Sequence, residues 1–134
     1  QRRRGFRAGA KARGIRAVEV AGNFTEDSGY VAGRAIVAMK PRPTAVFAAN
    51  DSMAIGALSA FRDARVRVPQ QIALVGFDDI PIARFLDPPL TTVKVPIAEL
   101  GRRGLQILVG EGGHKDDGRS PSFSDQSLLE VNPA

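Results

Sequence analysis

Polar side chains directly follow two apolar runs of the sequence. Asn50 and Asp51 follow the run AVFAA, and Asp78 and Asp79 follow the run IALVGF. An amide both donates and accepts hydrogen bonds, whereas a carboxylate accepts them from hydroxyl groups or moves protons. The pattern therefore indicates either helix caps and turns, or a ligand site above the ends of two strands.

Catalytic chemistry is disfavoured by the residue types that the chain lacks. It has no cysteine, which excludes disulfides, thiol catalysis and thiolate metal sites. Its one histidine, His114, does not favour a zinc site or a histidine-based triad. The sequence shows no phosphate-binding loop and no motif that frames a serine nucleophile. We therefore expect no catalytic residue, no metal ligand and no cofactor, and we do not expect an enzyme.

The net charge of +5 comes from one short segment. Seven of the 19 basic residues lie in residues 1–16, which contain no acid, so the rest of the chain is slightly acidic. This segment predicts the solvated face of a helix. The alternative is a basic arm that binds nucleic-acid phosphates, which would make binding strongly salt-dependent.

Helical and β-type patterns alternate along the chain. Apolar spacings of three and four residues predict helices, and short apolar or alternating runs predict strands. The predicted helices are residues 1–14, about 25–40, 51–64 and 96–109, and the predicted strands are residues 16–20, 45–49, 72–77 and 90–95. Asp51, with Ser52, is predicted to cap its helix, and Asp79 to hold the loop that follows it.

This alternation predicts an α/β fold: a three-layer parallel sheet with helices on both faces. The length of 134 residues suits one domain with its own core, and no apolar run approaches the ~20 residues of a membrane helix. In such sheets ligands bind beyond the carboxyl ends of the strands, where loops and helix N-termini meet. Both polar pairs lie at predicted strand ends, which favours the ligand site.

Six motifs, in this order, resemble one known family. They are RxxGF (2–6), GNFTEDSGY (22–30), FAANDSMAIGAL (47–58), VPQQIALVGFDD (68–79), PPLTTV (88–93) and PxxELGRRG (96–104). Together they resemble the effector-binding region of LacI/GalR-type bacterial transcriptional repressors, which is similar to periplasmic sugar-binding proteins. The resemblance implies one subdomain of a type I periplasmic-binding-protein-like fold, the C-terminal one, over residues 1–110. Residues 111–126 are polar, rich in Gly, Ser and Asp and without periodicity, which predicts a flexible loop, and the run SLLEV within residues 127–134 is a candidate for a closing strand before the tail.

The resemblance also implies four ligand-binding residues: Arg2, Phe24, Asn50 and Asp78. The family places an arginine at the position of Arg2 that forks onto effector hydroxyls or a carboxylate, and an aromatic ring near Phe24 that stacks on a sugar or base. Asn50 and Asp78 match an amide and a carboxylate that bind hydroxyls. Arg65 departs from the family, which usually has glycine after this helix, and a left-handed residue there would be strained without glycine.

The function implied is effector sensing. A sugar-like molecule, or alternatively a purine, would bind between two subdomains and change the operator affinity of a DNA-binding headpiece that these residues do not include. The resemblance further implies a homodimer formed through residues 53–61 and 80–85, a cytoplasmic location and no membrane partner. The alternative is part of a periplasmic sugar-binding protein of a transport system.

Overall fold

The computed structural model describes residues 2–110 and the backbone of strand 130–132. The helices are α1 (Arg2–Ala12), α2 (Glu26–Ala38), α3 (Asp51–Asp63) and α4 (Ile97–Leu108), with a 3₁₀ helix at Pro81–Phe85. The strands are β1 (Ala45–Phe47), β2 (Ala73–Asp78), β3 (Thr91–Lys94) and β4 (Glu130–Asn132). The predicted loop 111–126, with His114, lies outside the described residues, as do residues 127–129 and 133–134.

The four strands form one sheet in the order β1-β2-β3-β4. β1 pairs with β2 and β2 with β3, both in parallel, whereas β4 pairs with β3 in the antiparallel sense. Each parallel connection is a crossover longer than a hairpin turn, as parallel pairing requires. The α/β class with parallel strands is confirmed, and β4 adds an antiparallel edge.

The predicted strand at residues 16–20 is wrong. These residues have no regular secondary structure, and the Val18 side chain is exposed. The segment instead contacts α1 through Glu19, which pairs with Arg3 (2.7 Å) and with Arg7. A strand needs a hydrogen-bonded neighbour, and none of the described strands lies beside this segment.

The core lies between α3, the sheet and α2. Phe61 and Ile72 are fully buried, and Leu58 and Leu74 are nearly so. Helices α2 and α3 approach closely at glycines: a Cβ added at Gly56 would lie 1.9 Å from a backbone oxygen of α2. This tight crossing fixes the position of the N-terminus of α3, next to the end of β1.

The turn after α3 contains a left-handed residue at Arg65, the position where the family resemblance places a glycine. Arg65 has a φ of 56° directly after the C-cap Ala64. A non-glycine residue in this region carries strain because Cβ approaches the carbonyl oxygen. Two backbone hydrogen bonds, from Arg65 to Arg62 and from Val66 to Phe61, close the turn and offset that strain.

Helix α4 buries none of its residues. Its apolar side chains, among them Ile97, Leu105 and Leu108, are exposed, whereas Glu99 pairs with Arg102 on the polar side. Hydrogen bonds from that arginine and from its neighbour at position 103 lower the pKa of Glu99 to about 2. In the part of the chain that is described, no helix has both the length and the apolarity needed to cross a membrane.

Candidate functional site

Arg2 and Asp78 meet although 76 residues separate them. Nη2 of Arg2 donates to Oδ1 of Asp78 at 2.9 Å, and Nη1 donates to the carbonyl oxygen of Ala49 at 2.6 Å. The first residue of α1 therefore bridges the carboxyl ends of the neighbouring strands β1 and β2. The two ends lie side by side because the strands are parallel.

Aromatic side chains hold Arg2 in this place. Its guanidinium lies 4.2 Å from the centre of the Phe77 ring, a cation–π contact. Phe77 packs edge-on against Phe47 of β1, which stacks on Phe6 of α1. The apolar contacts thus attach α1 to the sheet and direct its arginine to the strand ends. Phe47 and Phe77 were not predicted as site residues, because both lie within uniformly apolar runs of the sequence.

Asn50 connects the β1–α3 turn to Phe24. Its Oδ1 accepts a hydrogen bond from the backbone N–H of Met53 at 3.0 Å, and its Nδ2 donates to the carbonyl oxygen of Phe24 at 2.9 Å. Phe24 has a φ of 69°, and its residue surface is 58% exposed. The structure therefore brings all four predicted site residues to one end of the sheet, in the linked pairs Arg2–Asp78 and Asn50–Phe24.

The predicted cap at Asp51 is wrong, because Asn50 is the N-cap of α3. An N-cap has extended backbone angles, and Asn50 has φ −155° and ψ 171°, whereas Asp51 is already helical. Asp51 is fully buried instead: Oδ1 accepts from the Thr92 hydroxyl at 2.6 Å and Oδ2 from the backbone N–H of Ile80 at 2.9 Å. The carboxylate thus holds the loop after β2, a role that was predicted for Asp79.

The corner that carries Asp78 has an unusual backbone. Asp78 and Asp79 have φ values of 121° and 57°, which non-glycine residues rarely adopt. The backbone N–H of Asp79 donates to the Thr92 hydroxyl at 3.2 Å. This contact fixes the direction in which the Asp78 side chain leaves the sheet.

The surroundings of Asp78 shift its pKa in opposite directions. Partial burial raises the pKa of Asp78, the positive charge of Arg2 lowers it, and the buried carboxylate of Asp51 raises it further, with a net increase over an ordinary aspartate. Among the described residues, no group of three side chains could hold a metal ion. The arrangement offers a guanidinium donor, a carboxylate acceptor, an amide and an exposed ring, which together can bind a hydroxylated ligand.

A separate groove of about 330 Å³ lies between the C-terminal ends of α2 and α3, lined by Arg34, Val37, Ala38, Asp63 and Ala64. Asn50 lies at the opposite end of α3, roughly 20 Å away at 1.5 Å per residue. The groove is therefore not part of the site formed by Arg2, Phe24, Asn50 and Asp78 at the strand ends, which is called the strand-end site below.

Comparison with known proteins identifies the family. The profile of periplasmic binding protein-like domains matches residues 1–123. The ribose operon repressor of Escherichia coli (strain K12) is 42% identical over 108 residues, which is 78% of this chain and 33% of the repressor. The chain thus spans about a third of the length of the curated relatives it matches.

Two solved structures extend the similarity to the fold. A regulatory protein of the LacI family from Chloroflexus aggregans matches 84% of this chain and 42% of that protein, with 31% identity and a TM-score of 0.74. A LacI family transcriptional regulator from Arthrobacter sp. FB24, in complex with lactose, matches 77% of this chain and 38% of that protein, with 30% identity and a TM-score of 0.70. The chain belongs to the family of periplasmic-binding-protein-like domains, and the proteins to which it is similar are transcriptional regulators of the LacI type.

Proposed function

We propose that the chain is the effector-sensing portion of a bacterial LacI-type transcriptional regulator and binds a sugar-like molecule at the strand-end site. One observation carries the proposal. Arg2 and Asp78, far apart in sequence, meet at the ends of β1 and β2 beside Asn50 and Phe24. The relatives support it, since one is a ribose operon repressor and another was solved with lactose.

The free hydrogen-bonding positions define how a sugar would bind. Arg2 occupies Oδ1 of Asp78, so Oδ2 is the oxygen that accepts from a ligand hydroxyl. Both polar atoms of the Asn50 amide, Oδ1 and Nδ2, already take part in hydrogen bonds, but Nδ2 has two N–H groups and uses one for the carbonyl oxygen of Phe24. Asn50 therefore offers one donor to the ligand. The exposed ring of Phe24 offers an apolar surface for the C–H face of a sugar, or for a purine.

In the complete regulator, binding would control affinity for operator DNA. The effector closes the site between two subdomains, and the two arrangements differ in how they hold a DNA-binding headpiece outside this chain. Such a sensor acts in the cytoplasm and catalyses no reaction. The coupling requires only that the effector binds one arrangement more tightly than the other.

The predicted homodimer has different support at its two segments. None of residues 53–61 is fully exposed, because α3 is largely covered by α2 and the sheet. Residues 80–85 present Ile82 and Phe85, both exposed, with Arg84 over the Phe85 ring. Self-association is therefore expected to depend more on the 3₁₀ helix than on α3.

The alternative is a periplasmic sugar-binding protein of a transport system, which shares the family profile. The sequence that precedes this chain in the complete protein discriminates the two: a helix-turn-helix headpiece supports the regulator, and a signal peptide supports the transport protein.

A thermal-shift screen of the complete protein with D-ribose, lactose and hypoxanthine tests the proposal. A ligand at 100 times its Kd stabilises the folded state by about 2.7 kcal/mol. We expect one of these probes to raise the Tm, the Asp78→Asn variant to lose that increase, and the matched variant Glu99→Gln on α4 to keep it. An unchanged response in Asp78→Asn would contradict the assignment of the site.

A further inference from the structure

Two buried side chains lie directly behind the corner that carries Asp78. Asp51 is 0% exposed and Thr92 is 2% exposed, and they are the two buried polar or charged residues among those described. The Thr92 hydroxyl donates to Oδ1 of Asp51 and accepts from the backbone N–H of Asp79, while Oδ2 of Asp51 accepts from the N–H of Ile80. One connected set of hydrogen bonds thus spans α3, β3 and the corner.

The corner needs this support because its backbone is strained. Asp78 and Asp79 both have positive φ, and residues persist in that region only where the surrounding structure holds them. The next two backbone N–H groups after Asp78 donate to these side chains: the N–H of Asp79 to Thr92 and the N–H of Ile80 to Asp51. Released from these bonds, the corner can relax to ordinary backbone angles, which would redirect the Asp78 carboxylate.

The sheet is shaped to accommodate the buried carboxylate. A Cβ added at Gly76 would lie 2.1 Å from Oδ1 of Asp51, so only glycine leaves room for Asp51 under β2. Burying a charge is costly unless hydrogen bonds compensate it, and both oxygens of Asp51 are bonded here. The sheet therefore accommodates the Asp51 carboxylate specifically, and this carboxylate does more than begin α3.

We propose that Asp51 and Thr92 are positioning residues that hold the Asp78 carboxylate where it meets Arg2 and the ligand. The part that concerns the ligand rests on the proposed function, whereas the part that concerns Arg2 does not. Thr92 is the central member because its single hydroxyl both accepts and donates. Valine has nearly the same shape and can do neither, whereas serine can do both.

The test follows the Arg2 guanidinium by ¹⁵N NMR in the 134-residue chain, with Thr92→Val, Thr92→Ser and Ile72→Val. Ile72 is fully buried directly before β2, at the end of that strand opposite Asp78, so its variant controls for general loosening of the core. We expect Thr92→Val to speed solvent exchange of the guanidinium protons about tenfold, the loss of one charge-assisted hydrogen bond. Thr92→Ser and Ile72→Val should leave it unchanged.

A folded Thr92→Val chain with unchanged Arg2 exchange would overturn the proposal. Should that variant fail to fold, Asp51→Asn decides, because asparagine keeps the volume but has one acceptor oxygen in place of two. Faster Arg2 exchange in Asp51→Asn supports the positioning role, and unchanged exchange refutes it.

The positioning role of Asp51 and Thr92 can fail or hold independently of the proposed effector binding. Fast exchange in Thr92→Val together with no response of the complete protein to ribose, lactose or hypoxanthine would keep the positioning role and reject the effector role. A ligand response in the wild type with unchanged affinity and exchange in Thr92→Val would do the reverse.

Discussion

Asn50 has two structural hydrogen bonds, so its replacement should reduce stability as well as binding. Asn50→Ala removes the N-cap bond to Met53, worth about 1 kcal/mol, and the bond to the Phe24 carbonyl, worth at most about 1 kcal/mol at an exposed position. We therefore expect the free energy of unfolding to fall by about 1–2 kcal/mol. Asn50→Asp keeps the cap, because a carboxylate oxygen also accepts from an N-terminal N–H and suits the helix dipole.

Urea denaturation of the chain, followed by far-ultraviolet circular dichroism, measures these differences. Asn50→Asp should lose at most about half of what Asn50→Ala loses, because the cap is kept and the bond to the Phe24 carbonyl oxygen is the one that is missing. Thr25→Ala is the matched control: Thr25 caps α2 through the N–H of Ser28 at 3.2 Å, so its loss should be about 1 kcal/mol.

Comparison of Asn50→Asp with Asn50→Ala also separates the capping role of Asn50 from its role in ligand binding. Asn50→Asp should abolish the donor that we assign to the ligand while leaving α3 capped. An Asn50→Ala chain as stable as the wild type would show that Asn50 does not cap α3, as would equal destabilisation by Asn50→Asp and Asn50→Ala.

Four further substitutions have expected outcomes. Arg2→Gln should raise the pKa of Asp78 further, as measured by ¹³C NMR titration, since the guanidinium lowers that pKa; a lower pKa in the variant would contradict the expectation. Because the pKa of Asp78 in the folded wild type is already above that of an ordinary aspartate, the free energy of unfolding should fall as the pH rises from the ordinary pKa to the folded one. Gly56→Ala should lower stability by roughly 1–3 kcal/mol, since its methyl group would collide with the α2 backbone; a higher Tm would be inconsistent with the tight crossing. Leu108→Ser, at an 84% exposed position, should change stability by less than about 0.5 kcal/mol, whereas Leu58→Ala in the core should cost about 2–5 kcal/mol; equal losses would show that α4 is packed.

The periodicity of the sequence predicted most elements close to their observed bounds. Helix α3 and strand β2 have strong patterns and clear polar ends, so local chemistry determines them. The segment 16–20 failed because pairing, which decides whether an alternating run becomes a strand, depends on a neighbour that the run does not encode. The antiparallel sense of β4 is likewise a property of the assembled sheet.

The candidate site was predictable in position and less so in detail. Asn50 and Asp78 follow from the rule that parallel strands end at one edge of the sheet. Which residue of the pair Asn50 and Asp51 caps α3 depends on the backbone angles at the turn, and no sequence pattern distinguished them. Arg2 is one of several arginines in a basic segment, and its contact with Phe77 arises from tertiary packing.

Chemical-shift titration of the ¹⁵N-labelled chain shows whether a sugar binds at Arg2, Phe24, Asn50 and Asp78. Because the proposal assigns this chain one half of the cleft, whose other half would supply further hydrogen bonds, D-ribose and lactose should be added to millimolar concentrations. We expect saturable shifts at the Phe24 amide, the Asn50 side-chain amide and the Arg2 guanidinium, and their loss in Asp78→Asn. Shifts confined to other residues, such as the groove at Arg34 and Asp63, would contradict it.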